Sequence, residues 1–221
     1  MELILAVVGG FTLGCIHAFD VDHVAAVTAL SSKHGNPRKA SLLGAVWGLG
    51  HTATLVLFGT ASVALKFVIP DAVVSIAELL VGFMLIAIGV WVVRDVIRHR
   101  EIHIHRHTHD GMEHVHFHSH AKSEEHNHSH SLFFVGAAHG FAGTAAVLVL
   151  IPIAISQSIL NAVIYLVLFG IGTMSAMAFF AYWLGVITKK IPSTRGITLV
   201  RGAAGVVSLV VGLIWVGGFV L

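Results

Sequence analysis

Six apolar runs, at roughly 3–30, 41–67, 72–97, 132–156, 159–187 and 197–221, occupy most of this 221-residue chain. Each reaches the roughly 20 residues that an α-helix needs to cross a hydrocarbon core about 30 Å thick. They are far longer than the roughly 10-residue alternating segments of an outer-membrane barrel. The expected fold class is therefore all-α: a polytopic membrane protein of about six transmembrane helices. Composition agrees, with 56% hydrophobic and 11% charged residues and a mean hydropathy of +0.88. Six spans leave no length for a soluble catalytic domain, so an enzyme is not expected. Three segments follow: 1–98 with helices one to three, 99–131 as a polar connection, and 132–221 with helices four to six.

Basic residues orient the spans. Lys33, Arg38 and Lys39 follow the first run, Arg94, Arg98, Arg100, Arg106 and Lys122 the third, and Lys189, Lys190, Arg195 and Arg201 the fifth, whereas Lys66 alone falls on the other side. Six spans then place those three connections in the cytoplasm and both termini outside, in the cell (inner) membrane. A net charge of +2 spread over short loops gives a nucleic-acid partner no support. Cys15 is the only cysteine, which excludes an internal disulfide or a CxxC redox pair. Met1-Glu2-Leu3-Ile4 lacks the basic start of a cleavable signal, so the first run is expected to stay as a span. With no GxxxxGK[ST] motif, ATP hydrolysis is not expected.

Within the first run stands His17-Ala18-Phe19-Asp20-Val21-Asp22-His23. An Asp at the centre of a membrane helix costs about 2.5–3.5 kcal/mol on insertion scales, so two carboxylates and two imidazoles here need a purpose. On a straight helix at about 100° per residue His17, Asp20 and His23 share one arc while Asp22 points elsewhere; a local break would gather all four. Counted from the cytoplasmic ends, His17, His23, His51 and His139 fall in one layer about 10–20 Å deep, flanked by Gly48, Gly50, Gly140 and Gly143. Imidazole with carboxylate suits borderline divalent ions such as nickel, cobalt and zinc, and no thiolate pair is present to favour Cu(I). His17, Asp20, Asp22, His23, His51 and His139 are the candidate metal residues. A lone intramembrane His is equally well explained by a hydrogen bond to a neighbouring helix. Glu78 is open between an outer vestibule and a pairing with Asn161, and Thr52, Thr144, Thr173 and Ser175 are expected to pack helices.

The two halves echo each other. Gly14-Cys15-Ile16-His17-Ala18-Phe19 is matched by Gly136-Ala137-Ala138-His139-Gly140-Phe141, and Gly48-Leu49-Gly50-His51-Thr52 by Gly170-Ile171-Gly172-Thr173-Met174. Two three-helix units in tandem have opposite orientations, the inverted-repeat plan that places a transport site at the repeat interface.

From His99 to His130 lie twelve of the seventeen histidines, among charged and hydroxyl residues with no recurring apolar face. Such a segment has little to bury and is expected to be disordered without metal. His103, His105, His107 and His109, then His114, His116, His118 and His120, repeat an imidazole at every second residue and can chelate a divalent ion without a preformed pocket. A pH-responsive loop is the other reading.

His17-Ala18-Phe19-Asp20-Val21-Asp22-His23 resembles the H-A-x-D-A-D-H signature of the nickel/cobalt transporter family, and Leu49-Gly50-His51-Thr52 resembles its second-helix L-G-H-S/T motif. The resemblance covers roughly residues 13–60 and implies that His17, Asp20, Asp22, His23 and His51 contribute to nickel or cobalt selection. The later part departs from it, Gly143 and Val147 standing where Asp and Glu are expected; in the first run, Ile16 stands where the family's longer members have Arg before the first His. The chain resembles a short relative, with a histidine-rich loop placed as in nickel/cobalt exporters.

The expected function is transport of divalent transition-metal ions, nickel and/or cobalt first, through the intramembrane His/Asp site. The metal is substrate rather than prosthetic group, and Zn2+ is the next candidate. The alternatives are a zinc exporter of the cation diffusion facilitator type, whose usual cytoplasmic C-terminal domain has no counterpart here, a membrane haem protein, or a metal sensor without flux. The partners are the ion and the bilayer, with a metallochaperone or a homo-oligomer left open. Because the route lies in the spans, deleting residues 101–129 is expected to change the affinity or regulation of metal movement in vesicles without abolishing it.

Overall fold

The computed structural model describes residues 2–31, 36–65, 70–98, 106–109, 112–115, 129–141, 158–191 and 193–220. Among them the chain forms α1 (Glu2–His17), α2 (Val21–Ser31), α3 (Pro37–Leu65), α4 (Asp71–Arg98), α5 (Ser129–Phe141), α6 (Ile159–Lys190) and α7 (Thr194–Val220). Strands β1 (Arg106–His109) and β2 (Met112–Val115) form a small antiparallel hairpin in which His107 pairs with His114 and His109 with Met112. Regular structure thus appears inside the connection expected to have none; the rest of 99–128, with His103, His105, His116, His118 and His120, lies outside the described residues.

The all-α membrane fold is borne out, but with fewer established crossings than six. Four helices are long and apolar enough to span a bilayer, namely α3, α4, α6 and α7, and α1 with α2 makes a fifth if the bent pair is one crossing. Of the run at 132–156, the described part is α5, whose apolar stretch Leu132–Phe141 is too short to cross; residues 142–157 lie outside the described residues.

The first run is also not a single helix over 3–30. The last amides of α1 tighten, Phe19 N–H donating to Ile16 C=O (2.9 Å) and Asp20 N–H to His17 C=O (3.0 Å), as helix ends do when 3₁₀-type bonds replace α bonds. Asp20 C=O then accepts the first bond of α2, from Val24 N–H. The helix restarts at an angle of 61°, with Asp20 at its N-cap and Asp22 in its first turn, where carboxylates oppose the positive end of the peptide dipoles.

Close backbone approaches set the packing. A Cβ at Gly14 would strike the Phe169 carbonyl, and one at Gly136 the Trp47 carbonyl. A Cβ at Gly172 would strike the Phe11 carbonyl, and one at Gly50 the Phe133 carbonyl. Position by position, the first member of each pair maps onto the second by a shift of 122 residues. The contact between α1 and α6 is therefore repeated by that between α5 and α3. Gly82 against Val216 and Gly205 against Val93 extend the correspondence to α4 and α7 with a shift of 123.

The order of contacts also gives direction. Gly10 and Gly14 meet Tyr165 and Phe169 in ascending order, so α1 and α6 run parallel, as do α3 and α5, where Gly136 and Gly140 meet Trp47 and His51. In contrast α3 and α6 are antiparallel, Gly44 lying on Met177 and Gly48 on Met174. The two halves therefore share one packing pattern in opposite orientations, and small residues at these crossings let the backbones touch. Hydroxyls reinforce them: Thr52 Oγ1 donates to Gly170 C=O (3.0 Å) and Thr173 Oγ1 to Gly14 C=O (3.0 Å), the packing role expected of these residues.

Two polar side chains pair differently from the sequence expectation. Arg201, counted with the basic residues of a loop, forms an ion pair with Asp95 between α7 and α4. Asn161, weighed as a partner of Glu78, donates instead to Glu2 Oε2 (3.4 Å). Since a side chain at Gly14 or Gly136 would land on backbone that cannot yield, Gly14→Leu and Gly136→Leu are each expected to cost about 1–3 kcal/mol by overpacking. Gly9→Ala, which meets nothing within 4 Å, is expected to be neutral; thermal melting in detergent compares the three.

Candidate metal centre

The interruption between α1 and α2 brings His17, at the end of one helix, to His23, in the first turn of the next; their rings are 4.5 Å apart, centroid to centroid. Helix α3 supplies His51 and α5 supplies His139, and both reach the same point because Gly140 lets α5 lie directly on the His51 backbone. His23 lies 4.8 Å from His51 and 4.4 Å from His139, ring to ring. All four histidines and Asp22 are buried, with His51 at 0% exposure and Asp22 at 5%.

The hydrogen bonds separate two kinds of role. His17 Nδ1 faces Asp20 Oδ2 at 2.9 Å and His23 Nδ1 faces Asp22 Oδ1 at 2.9 Å. With the Nδ1 proton given to a carboxylate, each ring keeps a lone pair on Nε2, the arrangement in which an outer carboxylate orients a metal-binding imidazole. His17 Nε2 and His51 Nε2 then face each other at 3.3 Å, about the ligand–ligand separation of a tetrahedral ion with nitrogen bonds of about 2.0–2.1 Å. His23 Nε2, buried, has no hydrogen-bond partner among the described residues.

Two groups of side chains converge closely enough to hold an ion. His17, His23 and His51 present ligand atoms within 4.8 Å of one another, and so do Asp22, His23 and His139. Asp22 is the pivot: Oδ1 serves His23 and Oδ2 faces His139 Nε2 at 3.0 Å. Asp20, anticipated beside these residues, stands on the rim, 44% exposed and turned to His17. The two aspartates thus sit behind the imidazoles or between them. His107, His109 and His114 belong to the hairpin, apart from this cluster in the chain.

Two aromatic residues escaped the sequence reading. Trp47 stacks on His51 (5.6 Å, 9° between planes) and presents its face or edge to His23 and His139, while Phe169 lies 5.2 Å from His17. They stand 122 residues apart, each just before the glycine-rich stretch already paired between the halves. That register was the signal that would have found them.

Residues 23–214 match the family described as the cytochrome c biogenesis protein transmembrane region. The chain belongs to that family. It is also 30% identical over 187 residues to the urease accessory protein UreH of a Bacillus species, covering 84% of this chain and 78% of that one. A protein of Methanocaldococcus jannaschii, provisionally named a nickel/cobalt efflux system, is 32% identical over 104 residues, 46% of this chain and 48% of its own. The Arabidopsis thaliana chloroplast protein FOR GROWTH AND FERTILITY 1 is 26% identical over 189 residues, 83% of this chain and 51% of its own. The chain thus spans about half the length of the last two relatives. No solved structure matches it.

The UreH and efflux relatives bear out the resemblance to the nickel/cobalt transporter family. None of the three is named as an enzyme. The cytochrome c description does not redirect the chemistry to thiols, since an internal dithiol couple needs two cysteines and Cys15 is the only one. If Asp20 acts on the ion through His17, Asp20→Asn is expected to weaken Co2+ binding about 10–100-fold, as loss of an outer-shell partner does. His23→Ala should remove the intramembrane share of that binding, leaving only what the loop histidines hold. Equilibrium dialysis of the purified protein compares them.

Proposed function

We propose that this chain is a membrane transporter that moves a divalent transition-metal ion, nickel or cobalt first, through the buried site made by His17, His23, His51, Asp22 and His139. The observation that carries the reading is the convergence of three buried imidazoles, His17, His23 and His51, with carboxylates behind two of them. The name of the nickel/cobalt efflux relative points the same way. Nitrogen-rich sites with carboxylate support suit nickel, cobalt and zinc, so zinc stays within the same ligand chemistry.

The ion sheds water into the cluster, and the two inverted three-helix halves rock against each other to open it to either side. Orientation follows the basic residues, with the histidine-rich connection in the cytoplasm and the termini outside. In that position the connection captures or buffers metal through His103, His105, His107, His109, His114, His116, His118 and His120. A haem reading fits poorly: axial ligation places a macrocycle between two imidazoles, whereas these rings lie 4.4–5.6 Å apart in one cluster.

The test is metal flux into or out of proteoliposomes loaded with a metal-sensitive dye, run with nickel, cobalt and zinc. The wild-type chain is expected to move nickel or cobalt, and His17→Ala, Asp22→Ala and His23→Ala to move none while remaining folded in the bilayer. Binding without flux in the wild type would make the protein a sensor or accessory and overturn the proposal.

A further inference from the structure

The two groups of converging ligands share a residue, His23, and that sharing carries a consequence for how an ion moves. One group is all imidazole, His17, His23 and His51; the other is mixed, Asp22, His23 and His139. Their outer members are related by the fold itself. His17 and His139 stand 122 residues apart, the shift that maps Gly14 onto Gly136 and the α1–α6 contact onto the α5–α3 contact. Each therefore ends the same helical motif in its own half, in opposite orientation. His17 lies beside Phe169 and His139 beside Trp47, and these aromatic residues are mates under the same shift.

We infer that the site is two overlapping ion positions, occupied one at a time, whose outer ligands His17 and His139 are mates under the inverted repeat. One is held by His17, His23 and His51 and the other by Asp22, His23 and His139, with His23 passing the ion between them. This rests on the transport reading above and gives its rocking step a ligand exchange.

The exchange balances without an outside reagent. In the first position the ion takes the lone pairs of His17 Nε2 and His23 Nε2, which their Nδ1 contacts with Asp20 and Asp22 leave free. It also takes His51 Nε2, which faces His17 Nε2 at 3.3 Å, and the proton between those two nitrogens moves to His51 Nδ1, which has no hydrogen-bond partner among the described residues. In the second position the ion replaces the proton between His139 Nε2 and Asp22 Oδ2. That proton moves to His139 Nδ1, which has no hydrogen-bond partner among the described residues. His51, in ring contact with His17, His23 and His139, lines the step. With His23 Nδ1 held by Asp22 Oδ1, His23 has only Nε2 to offer in either position, so the positions exclude each other. An ion is handed from the ligand of one half to that of the other without returning to water.

The experiment is Co2+ titration of the full-length purified protein, followed by visible and X-ray absorption, with flux measured in parallel. Loop histidines bind Co2+ in every variant, so the ion lost in His23→Gln defines the intramembrane one. The wild type is expected to hold one such ion. His17→Gln should still hold one, with a mixed oxygen–nitrogen ligand set, and His139→Gln one with an all-nitrogen set. Flux should fall at least tenfold in both. Two intramembrane ions in the wild type, an empty site in either single variant, or full flux in His139→Gln would each overturn the inference. If a Gln variant does not stay monodisperse, His17→Asn and His139→Asn repeat the comparison. If the wild type moves no metal, the transport reading fails by itself, and the binding spectra still decide whether there are two positions.

Discussion

A helix interrupted inside an apolar layer must find partners for everything the interruption exposes, because no water is there to supply them. The break after His17 uncovers amides and carbonyls that tighten into Phe19–Ile16 and Asp20–His17 bonds. It also leaves two carboxylates that an intact helix would have pointed in different directions. Asp20 turns back to His17, while Asp22 takes His23 on one oxygen and His139 on the other. Each imidazole is thereby fixed in orientation, and the ring nitrogens left over point inward. The cluster exists because the interruption has to be satisfied, and the satisfying groups carry the atoms that could hold a metal.

Backbone contact at glycine supplies the other half of the design. His51 and His139 come from helices that could not approach so closely with a side chain at Gly50, Gly136 or Gly140. The same contacts recur between α1 and α6 at Gly14 and Gly172, so the scaffold is repeated while the chemistry is not. Where the first half has His51, the second has Thr173, which spends its hydroxyl on the carbonyls of Gly14 and Phe169. Where the first half has Asp20 and Asp22, the register of the second reaches Ala142 and Thr144. The candidate ligands thus come mostly from the first half, with His139 the exception, while both halves share the frame.

Much of this was legible in residue order, for identifiable reasons. Apolar length is read directly from composition, so the membrane fold and the helices α3, α4, α6 and α7 were visible. Charge within an apolar run is conspicuous, so His17, Asp20, Asp22 and His23 were found, and the depth argument added His51 and His139. The break was legible only as a condition, since helical periodicity shows that Asp22 needs a distortion but not where or by how much. Trp47 and Phe169 were invisible because an aromatic residue in a membrane helix is unremarkable until a neighbour is known. The partners of Arg201 and Asn161 were missed for a related reason. A polar side chain near a helix end reads as a loop residue or an anchor, and its actual ion pair or hydrogen bond is a property of the packing.

Selection at such a site does not come from affinity alone. For a fixed set of nitrogen and oxygen ligands, binding strength rises along the first-row divalent ions to copper, so a tight imidazole cage would favour Cu2+ over nickel or cobalt. What the protein controls is the number, kind and placement of ligands. Without a thiolate pair it offers little to Cu(I), and with few carboxylates it offers little to magnesium or calcium, which take oxygen. Rings pinned by Asp20 and Asp22 and walled by Trp47 and Phe169 resist the tetragonal rearrangement that Cu(II) prefers. Under the proposed ligand exchange, discrimination among the remaining borderline ions would be set by how readily each changes ligands within a rigid cluster, a question of geometry in the second half as much as of the motif in the first.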